Sequence, residues 1–237
     1  MLTARVRSQR RPIAVVCAVV SLVSAPSLAQ SASAAREAAE SILKESEGVE
    51  GIFVSTNDGA IRHVQSGFVC PLTLTNADLI HLDAYPSKRG LGTDVSCDYA
   101  AGTGGDIETK LTVFVVKIDP KEPLESVFGR YRSEVLQTYP NAEFLGTGLR
   151  TKNQKGQIQT LDAPDLVRSV EYRIEWEGQP CVTGLAVSKS EEWALEIRLT
   201  YPFELKDMEG GTLGSAWATA STNLLVAQGR LPDKPKP

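Results

Sequence analysis

The sequence predicts an α+β fold: a meander-rich antiparallel β-sheet with two main packed helices plus an N-terminal helix, after a cleaved signal peptide. Three observations lead there. Val170, Tyr172, Ile174 and Trp176 alternate with Glu171, Arg173, Glu175 and Glu177, and Trp193, Leu195, Ile197 and Leu199 repeat the pattern after short turns. Period-two alternation marks strands with one face inward and one face towards water. Leu124, Val127, Phe128, Tyr131 and Val135, then Leu213, Trp217, Ala220, Leu224 and Ala227, recur instead at helical spacing, each set forming one apolar stripe. The chain begins with Arg5, Arg7, Arg10 and Arg11, then an apolar run from Ile13 to Val23 that is too short to span a bilayer.

Pro26 closes that run, and Ser27-Leu28-Ala29 presents small residues for cleavage after Ala29; a cut after Ala34 also fits. Arg10-Arg11 raises the twin-arginine route, but Pro12 follows the pair directly and favours general secretion. No small residue precedes Cys17, which argues against lipid attachment there. Residues 30–48 form a helix whose thin apolar face, with Ile42 and Leu43 its large members, predicts loose packing; Gly48 stops it. A single domain then covers residues 49–229. Ile52–Ser55 and Ile61–Val64 read as strands around the turn Asn57-Asp58-Gly59. Gly67–Cys70, Leu79–Tyr85, Thr93–Tyr99 and Ile107–Ile118 follow as strands, the last apolar on both faces near its end. Asp119-Pro120-Lys121-Glu122 reads as a capped helix start, and Tyr139-Pro140 as its end. Phe144–Thr151 and Gln157–Leu161 form a hairpin across Lys152–Gly156. The strands at Val170–Trp176, Cys181–Ser188 and from Trp193 make a meander with one wet face, and a last helix runs over Thr212–Gln228. The Pro- and Lys-containing tail, 230–237, is expected to be disordered.

Of 237 residues, 42% are hydrophobic and 23% charged, proportions that support a real core. Cleavage removes four arginines and no acids from a chain with 25 Lys and Arg against 29 Asp and Glu, leaving a net charge of about −8. That balance disfavours nucleic acid and anionic membrane surfaces as partners. Three cysteines remain in an oxidising compartment. Cys70 and Cys97 lie in extended segments near opposite ends of a hairpin-like excursion and are assigned as a disulfide, worth roughly 3–4 kcal/mol by chain entropy. Cys181 is then the odd cysteine, read as a small buried apolar residue; the sharper reading is a reactive or intermolecular thiol.

No catalytic, cofactor or metal motif stands out. Ser41 and Lys44 match a Ser-x-x-Lys pattern, but the accompanying Ser-Asp-Asn and Lys-Thr-Gly are missing and the pair reads as solvated. The two histidines, His63 and His81, offer two metal ligands without a visible third. Gly102-Thr103-Gly104-Gly105 joins strands and opens no helix, so it lacks the amide donors of a phosphate loop. Asp94, Asp98 and Asp106 flank that loop at spacings that match no calcium site and read as solvated acids. Trp176, Trp193 and Trp217 sit on core-facing stripes.

The segment from Val167 to Trp176, then Cys181–Ser188, Trp193-Ala-Leu-Glu-Ile-Arg-Leu-Thr-Tyr-Pro202 and the helix around Trp217, resembles PsbP-like α/β/α sandwich proteins. Ser66-Gly-Phe-Val-Cys70-Pro71 with Val95-Ser-Cys97 is similar to uncharacterised exported bacterial proteins. The N-terminal helix, the early strands and the cysteine pair depart from the PsbP-like pattern. The resemblance implies an accessory or adaptor role and brings no catalytic residues with it. The expectation is an uncharacterised exported protein, periplasmic or secreted, that acts without enzymatic chemistry and binds another envelope protein. The alternatives are a small-ligand or metal-binding protein with the Ala100–Asp106 loop at the mouth, and a thiol-dependent enzyme using Cys181.

Overall fold

The computed structural model describes residues 28–102, 109–152, 157–161, 163–206 and 211–231. Most of the predicted signal peptide lies outside these residues, as do Thr103 to Asp106 of the glycine loop, the turn at 153–156 and the tail from 232.

Helix α1 (Leu28–Glu45) leads into a small sheet of β1 (Phe53–Ser55), β2 (Ile61–His63) and β3 (Val69–Cys70). The chain then builds β4 (Thr73–Leu74), β5 (Ala77–Ala84), β6 (Asp94–Ala101) and β7 (Thr109–Lys117), with β5, β6 and β7 each antiparallel to the strand before it. Helix α2 (Leu124–Thr138) crosses to β8 (Glu143–Thr147), β9 (Leu149–Lys152) and β10 (Ile158–Leu161). A second meander, β11 (Arg168–Trp176), β12 (Gln179–Ser190) and β13 (Trp193–Pro202), precedes the last helix, α3 (Thr212–Ala227). One eight-stranded sheet results, in the order β4-β5-β6-β7-β13-β12-β11-β8. The two meanders meet at β7 and β13, where Leu111, Val113 and Val115 lie opposite Leu199, Ile197 and Leu195. No helix among the described residues is long and apolar enough to cross a membrane.

The predicted α+β class holds, and four local expectations are corrected. The meander does not keep one wet face: every residue from Cys181 to Ser188 is buried. Helix α3 covers one face, against Val182, Ala186, Leu195 and Ile197, and α2 covers the other, against Val170, Tyr172, Leu185 and Ala194. Burying each such aliphatic side chain stabilises by about 1.5–3 kcal/mol, and helices distant in sequence supply the second cover. The hairpin predicted from Phe144 splits at Gly148, whose φ of 93° reverses the chain at a position that favours glycine. β8 therefore joins the main sheet beside β11, and β9 alone pairs with β10. Glu171, expected in water, forms an ion pair with Arg150, Nη2 to Oε2 at 2.6 Å. The Asp119 carboxylate accepts a hydrogen bond from the Lys121 N–H in a turn, and α2 begins one turn later, after Pro123.

Cys70 and Cys97 form the assigned disulfide, tying the small sheet to the main one. Helix α1 packs through Ala39, which is fully buried. Just beyond its end, the Ser46 hydroxyl accepts the Leu82 N–H at 3.1 Å, joining this segment to β5. Gly214 of α3 sits against β9 so closely that a Cβ there would fall 2.2 Å from the Arg150 carbonyl oxygen.

Candidate functional site

Side chains at odd positions of β6, β7 and β13 point into the α3 side of the core, and the even ones point to the α2 side. Helix α2 packs over β11 and β12, with its buried residues Val127, Phe128, Tyr131 and Val135 facing that half. The β5–β6–β7 half of the same face carries no described helix. Strand pairing there places His81 opposite Asp98 and Asp83 opposite Ser96. A groove of about 290 Å³ results, lined by Ile80, His81, Tyr85, Asp98, Lys110 and Phe114 among others.

The polar groups of this groove are linked. The Tyr85 hydroxyl donates to Asp83 Oδ2 at 3.4 Å and lies 3.2 Å from the Ser96 hydroxyl. His81 Nε2 lies 3.4 Å from Asp83 Oδ1, and its Nδ1 lies 3.4 Å from the Ser46 hydroxyl. Burial pushes the Asp98 carboxyl up to about 6; the Thr112 hydroxyl and His81 pull against this, and Asp83, hydrogen-bonded to it, adds to it. Tyr85 and Phe114 form an aromatic side, their centroids 6.0 Å apart. Asp98 in the groove and Asp83 beside it thus face a mixed lining that also carries His81, Lys110 and the Tyr85 ring.

Next to the groove, under the edge of α2, lies an ionisable network. Glu196 of β13 is 1% exposed. It accepts a hydrogen bond from Arg198 Nε, while Arg198 Nη2 reaches Glu134 of α2 at 2.8 Å and the guanidinium stacks over Phe114 at 5.1 Å. Burial raises the Glu196 carboxyl to about 7, against the pull of Arg198. Asp94 is also raised, by burial first and by Glu134 second. The guanidinium thus joins the open groove to the covered half of the sheet.

The structure separates the residues singled out from sequence. His63 is fully buried and bonded at both ring nitrogens: Nε2 donates to the Gly92 carbonyl at 2.9 Å, and Nδ1 accepts from the Ser66 hydroxyl at 2.7 Å. Burial lowers its pKa to about 4, and with both nitrogens engaged it is a neutral structural imidazole. Asp94 and Asp98 go to different sites, the α2 edge and the groove, while Asp106 lies outside the described residues. Among the described residues no three His, Cys, Asp or Glu side chains converge to hold a metal ion. Cys181 is fully buried on the α2 side of the sheet, and burial raises its thiol, the opposite of what a nucleophilic thiolate needs. Ser41 donates to Glu45 Oε1 at 2.7 Å on exposed helix surface, without any link to Lys44. Trp193 is core; Trp176 and Trp217 are half-buried, and Lys110 Nζ sits 4.5 Å above the Trp176 ring.

Sequence reasoning missed Asp83, Tyr85, Glu196 and Arg198. Asp83 and Asp98 meet across two strands and share no spacing. For Glu196 a signal existed: a carboxylate at the middle of a strand flanked by buried neighbours on both sides of the sheet.

No protein-family model matches the chain, and no curated protein matches it. Solved structures do. A protein of unknown function from Pseudomonas aeruginosa is 12% identical, with 66% of this chain and 99% of that one covered, at a TM-score of 0.38. The solution structure of the cyanobacterial PsbP of Synechocystis sp. PCC 6803 is 12% identical over 65% and 95%, at 0.31. CalU16 of Micromonospora echinospora is 14% identical over 68% and 87%, at 0.23. A PsbP is thus among the structural neighbours, at a level that establishes neither family nor function.

Proposed function

We propose that this is a non-enzymatic accessory protein of the cell envelope that binds another envelope protein through the open β5–β6–β7 face, with Asp83 and Asp98 receiving a Lys or Arg side chain. The observation that carries this reading is the Asp83–Asp98 pair itself. Asp98 is held near 6 by burial and by its like-charged neighbour, and a cation seated opposite would relieve both costs. Ile80, 53% exposed at the edge of the groove, adds apolar contact area beside the acids. The Cys70–Cys97 bridge supports export, since such bonds persist in oxidising compartments.

The test is photo-crosslinking in intact cells from a probe amino acid at position 80, with a probe at Leu91 as the control. Asp98→Lys, which places a like charge in the groove, is expected to abolish a crosslink formed from position 80. A crosslink that survives Asp98→Lys, or none from position 80, overturns the reading.

A further inference from the structure

β8 ends the main sheet, and among the described residues β11 is its one hydrogen-bonded neighbour. A strand in that position presents unpaired N–H and C=O groups along its outer side. The opposite edge, β4, is two residues long, whereas β8 has five. Sheet edges are commonly protected by lysine or proline. β8 reads Glu143-Phe144-Leu145-Gly146-Thr147 and has neither, and its one irregularity is the bulge that leaves Leu145 unpaired with β11; Phe144 is 61% exposed and Leu145 44%.

A cavity lies at each end of the strand. The one at the Gly148 end, about 360 Å³, is lined by Leu145, Arg150, Glu171, Phe203 and Lys206 among others. The one at the Glu143 end, about 420 Å³, is lined by Asn141, Glu143, Arg173 and Pro180 among others. Added strands advance about 3.3 Å per residue, so a short extended segment along β8 reaches both. In the first cavity Arg150 is paired with Glu171 through Nη2, while its buried Nε has no hydrogen-bond partner. Lys206 lies over the Phe203 ring at 5.0 Å, and no described carboxylate stands within ion-pair distance of it. Among the described residues lining this cavity, two cations, Arg150 and Lys206, stand beside one carboxylate, Glu171.

We propose that β8 accepts an extended segment of a partner protein as an additional antiparallel strand, with an acidic side chain of that segment directed to Arg150 and Lys206. Backbone pairing supplies affinity in such strand addition, and the cavities supply selectivity. A second copy of this chain fits less well. Two β8 edges pair over only five residues each, whereas a longer partner segment continues past both ends of β8 into the two cavities. A free segment also follows the register shift opposite Glu171 and Tyr172, which a second rigid sheet edge does not. This surface is separate from the Asp83–Asp98 groove and does not depend on it.

The probe is a fluorescein-labelled peptide of alternating valine and threonine with one glutamate, compared with the same peptide carrying lysine instead. Fluorescence anisotropy with the full chain is expected to show saturable binding of the glutamate peptide, about tenfold tighter than the lysine peptide. Lys206→Glu is expected to remove that preference. Leu145→Lys, a charge on the edge, is expected to weaken binding about tenfold; Phe144→Lys serves if that variant melts early. Leu91→Ser, at an exposed position between β5 and β6, is expected to leave binding unchanged. No saturable binding, or an unaltered preference in Lys206→Glu, overturns the proposal. A dimer seen by sedimentation without peptide and dissociated by Leu145→Lys overturns it in favour of a second copy.

Discussion

Replacing Glu196 with glutamine removes the most deeply buried carboxyl among the described residues while keeping its volume and its capacity to accept a hydrogen bond from Arg198. In the folded protein this carboxyl titrates at about 7, against an ordinary 4.5. A raised carboxyl binds its proton more tightly in the folded state. Its contribution is therefore fully present below the ordinary value and is lost as pH rises through the folded one. Between about pH 5 and about pH 8.5 the loss is about 2.5 kcal/mol, at 1.36 kcal/mol per pK unit. Glutamine does not titrate, so the wild type should lose about that much stability relative to Glu196→Gln over this range. Titrating groups away from this network are shared by the two proteins and cancel in the comparison, while Asp94 and Glu134, coupled to Glu196, change the difference by a smaller amount. Urea unfolding at both pH values, extrapolated linearly, gives the two differences. A stability difference that changes by less than about 0.5 kcal/mol across the range refutes the reasoning, because Glu196 would then be charged in the folded state at no cost.

The remaining predictions are independent of that network. Replacing Cys70 and Cys97 by serine releases a link between residues 27 apart and should cost about 3.5 kcal/mol in urea unfolding; a loss under about 1 kcal/mol contradicts the assignment of that bridge as a main staple. Cys181 should react with a thiol reagent at neutral pH only once the chain is unfolded, and labelling of the native protein at a free-cysteine rate contradicts its burial. Gly214→Ala brings a Cβ to 2.2 Å from the Arg150 carbonyl oxygen and must push α3 off β9; a loss of about 2 kcal/mol or more is expected from thermal melts, and an unchanged melt contradicts the close approach. His63, its pKa lowered by burial to about 4, favours folding above its ordinary value, and that contribution disappears as pH falls towards 4. Its imidazole NMR signals should keep the neutral Nε2–H form down to about pH 5, and protonation near pH 6.5 contradicts the bonding to Gly92 and Ser66.

Local rules made several elements legible. Alternation at Val170–Ile174 and Trp193–Leu199 gave strands because side chains on a strand have a period of two, and no other structure satisfies that period. The stripes at Val127–Val135 and Leu213–Leu224 gave α2 and α3 for the corresponding reason at 3.6 residues per turn. The open groove was not legible. His81 and Asp98 were visible as single titratable residues, but Asp83 joins them only through pairing of β5 with β6, including the irregularity between Leu79 and His81. Glu171 looked like a solvent-facing residue because its own strand alternates; Arg150, 21 positions earlier, reaches it from β9.

By itself, then, the sequence determined element types, the two helical faces, the disulfide pair and the absence of a familiar catalytic motif. Each of these rests on neighbours within a few residues or, for the cysteines, on their scarcity. The tertiary structure alone decided that both faces of the second meander are covered, that β8 leaves its hairpin to form the sheet edge, and that Asp83 meets Asp98 on a half-sheet over which no described helix packs. The physical reason is common to all three. Which strand lies beside which, and which helix returns over which face, is set by burying the greatest apolar area across long separations, a sum over the whole chain that no local period records.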